Sequence, residues 1–239
     1  MSARIKQIVN QLKALGDSDI AEHSQRFFKT GAGEYGEGDK FLGIRVPVIR
    51  KCVKEYRDIS LEDTLDLLKN TFHEVRLLAV LILVSKYATL KTSAEPKEIY
   101  QAYLKHTEFI NNWDLVDSSA EHIVGAYLFS KNRKPLFRLV RSKNLWERRI
   151  GVMATFYFIK RDDFSDTLAI AELLLKDKED LIHKAVGWML REVGNRNLKK
   201  EESFLNKHYK DMPRTMLRYA IEKLPEVKRQ AYLYGKKES

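Results

Sequence analysis

The residues of this sequence that could do chemistry are those that break the pattern of the helix they sit on. In DLIHKAVGWMLREVG, from Asp180, apolar residues fall at Ile182, Ala185, Val186, Met189 and Val193, the spacing of one helical face. Trp188 lies off that face. Lys184 and Arg191 sit four residues before it and three after, so they flank it on the helix surface. An indole between two cations on the water side has two readings. It packs against a neighbouring helix with the cations solvated, or it offers a flat surface to a nucleotide while the cations hold phosphates.

A second such place is NWDLVDSSAEHIVGAYL, from Asn112. Read as one helix, its core stripe is Val116, Ser119, Ala120, Ile123 and Tyr127, with Trp113 and Asp117 together on one edge. Asp114 or Asp117 could cap the helix or offset its dipole. In a basic cleft, however, a carboxylate opposes an anionic partner and needs another reason to be there. Stabilising positive charge that develops at a sugar C1′ is one such reason. The remaining tryptophan, Trp146, falls in the stripe of Ile150, Met153, Ala154 and Tyr157 and reads as core, with Arg149 at the stripe's edge.

Other chemistries find no support. His23, His73, His106, His122, His183 and His208 are scattered without metal-ligand spacing, and His183 reads as bonding locally. No Gly-x-Ser-x-Gly or kinase set is present. The single cysteine, Cys52, excludes an internal disulfide framework and a cysteine-rich zinc site. Arg50, Lys51 and Lys54 lie near it, but without an assignable histidine partner it reads as an ordinary thiol. No metal and no cofactor is expected. One free thiol fits a reducing cytosol, and the N-terminal segment lacks the form of a signal peptide.

The elements that must position these residues are helices. Strand alternation is nowhere sustained, and helix-period stripes recur along the 239 residues. The first is at Ile5, Ile8, Val9, Leu12 and Leu15. Several of the five prolines stand where a helix should start, Pro47 among them. Thr30–Lys40 is the exception. Its Gly31, Gly33, Gly36 and Gly38 exclude helix, leaving a flexible surface loop or one that orders against phosphate. It is neither a Walker loop nor a dinucleotide fingerprint.

The segments from His73, Trp146, Asp180 and Met212 share a form, a basic residue followed by small and apolar ones. They align on Arg76, Arg149, Lys184 and Arg214. Repeats of this size built from helix pairs predict a HEAT-like solenoid of about a dozen helices with a concave inner surface. No linker or composition break marks a boundary, so a single domain over residues 1–239 is expected. Lys and Arg number 43 against 33 Asp and Glu, a formal charge of +10. That excess points to a polyanion, nucleic acid before an anionic membrane surface.

FLGIRVP, WDLVD, LWERR and KAVGWMLRE, in that order between Phe28 and Tyr219, resemble the DNA alkylation repair glycosylases of the AlkD type. The resemblance implies an all-α, C-shaped clamp on duplex DNA. It implies hydrolysis of the N-glycosidic bond of cationic N3- and N7-alkylated purines without base flipping. By motif match, Asp117 is the catalytic carboxylate, and Trp113 and Trp188 contact the lesion's deoxyribose. Arg149 and Arg191 hold the backbone, and Arg50 matches a further DNA contact. Phe27 stands where a tyrosine is expected and Val46 where some members have threonine, each removing a hydroxyl contact to DNA. Lys184 joins the DNA-binding residues through its place beside Trp188.

A cationic alkylated base departs neutral, so no general acid is required; a carboxylate and electron-rich rings stabilise the sugar cation. No lysine is placed as a Schiff-base nucleophile. The reading is a monomeric, monofunctional glycosylase, cytoplasmic and nucleoid-associated on DNA. Its rivals are a non-catalytic binder of branched or damaged DNA and a protein-binding scaffold.

Overall fold

The computed structural model describes residues 2–89 and 95–235, and it is helical throughout; among the described residues the sole β feature is one bridge between Lys40 and Phe72. In the first half lie α1 (Ala3–Ala14), α2 (Ser18–Phe27), α3 (Val46–Tyr56), α4 (Leu61–Leu68), α5 (His73–Ala88), α6 (Glu95–Lys105) and α7 (Trp113–Asp117). Beyond a π turn at Glu121–Gly125 come α8 (Ala126–Leu128), α9 (Lys134–Leu139), α10 (Leu145–Ala154), α11 (Phe156–Ile159) and α12 (Ser165–Leu173). The last are α13 (Asp180–Arg196), α14 (Leu198–His208), α15 (Arg214–Ala220) and α16 (Glu226–Tyr234). Each of the five prolines stands in the first turn of a helix or at its N-cap, where a missing N–H is harmless. No described helix is long and apolar enough to cross a membrane.

The chain divides into two compact units, 1–123 and 124–239. Each is built around one long helix. In the first it is α5, apolar on nearly every side and buried from His73 to Val80, which α3, α4, α6 and α7 cover. Ile5, Ile8, Val9 and Leu12 of α1 are buried as the stripe requires. Leu15 falls just past the helix end and is 44% exposed. Cys52 lies buried in α3. The central helix of the second unit is α13, with α10, α11, α12, α14 and α15 against it. The stripe Ile182, Ala185, Val186, Met189 and Val193 is buried as its spacing predicts, and so is Trp146. The α13–α15 approach depends on Gly187, where a Cβ would fall 2.4 Å from the Met216 carbonyl oxygen.

The repeat has a different register from the one the alignment suggests. Arg76 donates to the carbonyls of Asn70 and Thr71, and Arg148 to those of Ser142 and Lys143, six and five residues back. His183 bonds the Asp177 carbonyl, again six back. Arg76, Arg148 and His183 are therefore the equivalent positions, each tying a long helix to the loop before it. Arg149 and Lys184 stand one residue further on.

One buried acid works against this packing. Glu201 of α14 is 2% exposed and fits against Gly194 of α13, where a Cβ would fall 1.8 Å from its carboxylate. Burial first, then the neighbouring Glu202, pushes its carboxyl from 4.5 up to about 8, against the pull of Arg191. A raised acid pKa means the unfolded chain releases a proton that the folded one keeps. Stability is therefore lost as pH rises from 4.5 through 8. Glu201→Gln should melt above the wild type at pH 8 in a thermal scan, with the gap closing towards pH 4.5.

Candidate functional site

The segment WDLVD is held from below by a buried charge cluster. His73, 1% exposed at the start of α5, bonds carboxylates through both ring nitrogens. Nε2 is 2.7 Å from Asp114 Oδ2, and Nδ1 is 3.1 Å from Asp39 Oδ2. The other oxygen of Asp39 accepts from Arg76 at 2.5 Å. Asn112, fully buried, joins the cluster by donating to Asp39 at 3.3 Å, while its side-chain oxygen caps α7 at the Trp113 N–H, 2.8 Å away. Burial alone would lower the His73 pKa. The charge and hydrogen bond of Asp114 and the hydrogen bond of Asp39 outweigh burial and the Arg76 charge, holding it at about 9. Asp39 is pushed up by burial, but the His73 hydrogen bond and Arg76 hold it below the usual carboxylate range. With both nitrogens committed, His73 ligates no metal, and no group of metal-binding side chains occurs among the described residues.

Above the imidazolium stands an aromatic stack. Phe41 lies 4.6 Å from the His73 ring and Phe28 5.0 Å from it, centroid to centroid. Trp113 stacks on Phe28 at 5.2 Å and 19°. Phe27, 58% exposed at the end of α2, meets Trp113 edge-on at 5.9 Å. The indole therefore has one ring face fixed by a phenyl group that rests on a buried cation.

The glycine-rich loop supplies Asp39 to this cluster, and its order comes from within. Glu34 accepts from the Gly31 N–H and Glu37 from the Gly33 N–H. Just beyond, Glu74 accepts from the N–H groups of Leu42, Gly43 and Ile44 at 2.8, 2.8 and 3.2 Å. Gly43 has φ +81°, and a Cβ there would fall 1.9 Å from the Asp17 carbonyl oxygen, so glycine is required. Within the loop, the amides of Gly31 and Gly33 hold the protein's own carboxylates. Val46 and Arg50 lie beyond it on α3, both exposed.

Asp117 does not sit where a continuous helix would place it. α7 ends at Asp117 and a π turn follows, so the single helix expected from Trp113 to Tyr127 is broken. The cause is local. The Ser119 hydroxyl bonds the Leu115 carbonyl at 2.6 Å and the buried Tyr103 hydroxyl at 2.8 Å, and Ser118 also reaches Leu115 at 3.3 Å. Hydroxyls that take backbone carbonyls compete with the helix. Asn112, not Asp117, caps the start of α7. A half-buried carboxylate in the last turn of a helix is opposed by the helix dipole. Asp117 lies close enough to Tyr103 to raise that hydroxyl's pKa beyond what burial does.

In the second unit, Lys184, Trp188 and Arg191 are half-buried while their core-side neighbours on α13 are buried, as the helix geometry predicts. The Trp188 indole N–H donates to Glu192 at 2.9 Å, and its ring lies 6.0 Å from Phe156. Arg191 pairs with Glu222 and Glu192, and Lys184 with Asp180 at 2.8 Å. Arg149 is 5% exposed and donates to the Leu181 carbonyl at 2.5 Å. The phosphate contact expected of it requires the guanidinium to turn out of this position. Sequence reasoning missed Asp39, His73, Phe28 and Glu192. The pair His73–Glu74 and the first aspartate of WDLVD were the available signals.

A helical-repeat protein with a buried-charge support under one tryptophan and a cation-flanked tryptophan on its second central helix is the class these features define. A solved structure described as a "predicted DNA alkylation repair enzyme" from Enterococcus faecalis has a similar fold. Its TM-score is 0.67 at 16% identity, covering 88% of this chain and 97% of that one. No curated protein sequence matches. The family model "DNA alkylation repair enzyme" matches residues 8–224, and the chain belongs to that family, a family of DNA repair.

The His73 cluster sets a pH limit. A raised histidine pKa contributes stability that is complete below 6.5 and lost as pH rises through about 9. His73→Gln removes one partner of a buried charge set and should lower unfolding stability by about 3 kcal/mol in denaturant titration. It should also flatten the fall between pH 6.5 and 9 that the wild type shows.

Proposed function

We propose that the protein is a monofunctional DNA glycosylase that releases cationic N3- and N7-alkylated purines from duplex DNA. The observation that carries this is Asp117. It is a half-buried carboxylate in the last turn of a short helix, where the dipole disfavours it, and it shares that helix with an anchored indole. A charge kept against the dipole and beside a surface suited to DNA calls for a role in chemistry.

The reaction follows from the substrate's charge. The C1′–N bond breaks with its electron pair leaving on the base, whose formal positive charge is thereby cancelled. Asp117 stabilises the oxocarbenium-like sugar and orients the water that attacks C1′, taking the proton that water loses and passing it to solvent, and Trp113 presents an electron-rich ring to the same cation. The chemistry needs access to the sugar and no proton donor to the base, so extrusion of the base into a pocket is not required. On α13, Trp188 with Lys184 and Arg191 suits a sugar-phosphate backbone, Arg191 exchanging Glu222 for phosphate. Arg50 and Phe27 add exposed contacts in the first unit, and Arg149 adds one on leaving Leu181. The HEAT-like, monomeric, cytoplasmic character expected from the sequence belongs to the same reading.

Incubation with methylated duplex DNA should release 7-methylguanine or 3-methyladenine, read by chromatography of the free bases. No release from either would leave a binding protein in place of an enzyme. Asp117→Asn should slow release about 100-fold or more while binding DNA as tightly or more so, since a negative charge is removed. Arg191→Ala should reduce the slope of log K against log salt by about 0.9, the value of one phosphate contact. An unchanged slope places Arg191 off the backbone.

A further inference from the structure

The net charge is concentrated in one place. Residues 131–149 hold eight Lys and Arg and one carboxylate, Glu147, giving +7 of the chain's +10. They form α9, its flanks and the first turn of α10. Inside this stretch Arg133 is bound to Asp163 and Asp166 at 2.6 and 2.7 Å, Arg148 to Asp177 at 2.8 Å, and Arg149 is buried. Asp163, Asp166 and Asp177 are therefore committed to those arginines. Lys131, Lys134, Arg138, Arg141 and Lys143 are exposed. Among the described residues, none of these five is paired with a carboxylate.

The helix sorts its residues sharply. Leu136 and Val140 face inward, packed so closely that a Cβ on Gly151 of α10 would fall 2.6 Å from Val140 Cγ1. Lys134, Arg138 and Arg141, spaced four and three apart, share the opposite face and line an open groove with Asn132, Pro135 and Phe137. Arg141 donates to the Phe137 carbonyl at 3.0 Å, which steadies its stem. The row runs from Lys134 at the start of α9 to Arg141, two residues past its end, seven steps or about 10 Å at the helical rise. One strand of B-DNA carries a phosphate about every 3.4 Å of axis, so the row matches about three phosphates.

We propose that the α9 face is a second, sequence-independent binding surface for the phosphate backbone of duplex DNA, separate from the Trp188 face. α9 packs on α10, and α10 packs on α13, so the row lies one helix removed from Trp188. A protein partner would need an apolar centre with few lysines. On this face Pro135 and Phe137 are half-buried and no large apolar side chain is mostly exposed. High positive charge without such a centre is the composition of a DNA contact. Its role is to hold duplex away from the reacting nucleotide, and it does not depend on the chemistry assigned to Asp117.

The test uses the whole protein and undamaged mixed-sequence duplex, with binding measured over a salt series. Lys134→Gln, Arg138→Gln and Arg141→Gln combined should lower the slope of log K against log salt by about 2 to 3, and Arg138→Gln alone by about 1. The control is Lys199→Gln, Lys200→Gln and Lys210→Gln, the same charge change at exposed positions elsewhere in the second unit. A thermal melt verifies that each variant is folded. A slope equal to that of the wild type, or lowered no further than in the control, overturns the proposal. Binding without base release in the wild type would sink the glycosylase reading and leave this one standing on the slope alone.

Discussion

The first unit depends on a protonated imidazole enclosed by two carboxylates. His73 is buried, and a buried charge without partners would be expelled or neutralised. Asp39 and Asp114 prevent that, and each belongs to a different element, the glycine-rich loop and α7. One ion therefore fixes three segments that share no sequence proximity. Arg76 and Asn112 complete the cluster, so that Asp39 carries no idle oxygen. The Phe28–Trp113 stack rests on this base, and the direction of the WDLVD helix follows from it.

The second unit solves the problem of position in another way. Its cations on α13 are half-buried and held by acids at the edge of the same surface, Glu222, Glu192 and Asp180. Such pairs are weak in water and exchange readily for a stronger anion. The first unit's charges are locked inside, and those along α13 are poised at the surface. That contrast separates charges that set geometry from charges that solvent can reach.

The all-helical class, the core stripes of α1 and α13, the burial of Trp146 and the off-stripe place of Trp188 were legible because each depends on helical spacing alone. The Asp39–His73–Asp114 cluster was not, since its members lie 34 and 41 residues apart and no periodicity joins them. The break after Asp117 was hidden for a different reason. Ser118 and Ser119 tolerate a helix, and only the buried Tyr103 hydroxyl, from another helix, shows that Ser119 is turned inward. The repeat register slipped by one because two arginines, Arg148 and Arg149, stand side by side. Which of them turns back to the preceding loop is decided by Asp177, outside the repeat pattern. That Arg149 turns inward was not legible, because a stripe edge does not reveal that a neighbouring helix offers the Leu181 carbonyl.

Three consecutive amides, Leu42 to Ile44, converge on Glu74 in the manner of a small anion receptor. The guest is permanent, because it belongs to the same chain and is buried with its host. The receptor is therefore never vacant during the protein's working life, and the turn it shapes keeps one form whether or not DNA is near. FLGIRVP acts as a hinge pin whose rigidity is supplied from α5, and α3, with Val46 and Arg50 exposed on it, starts from a fixed point.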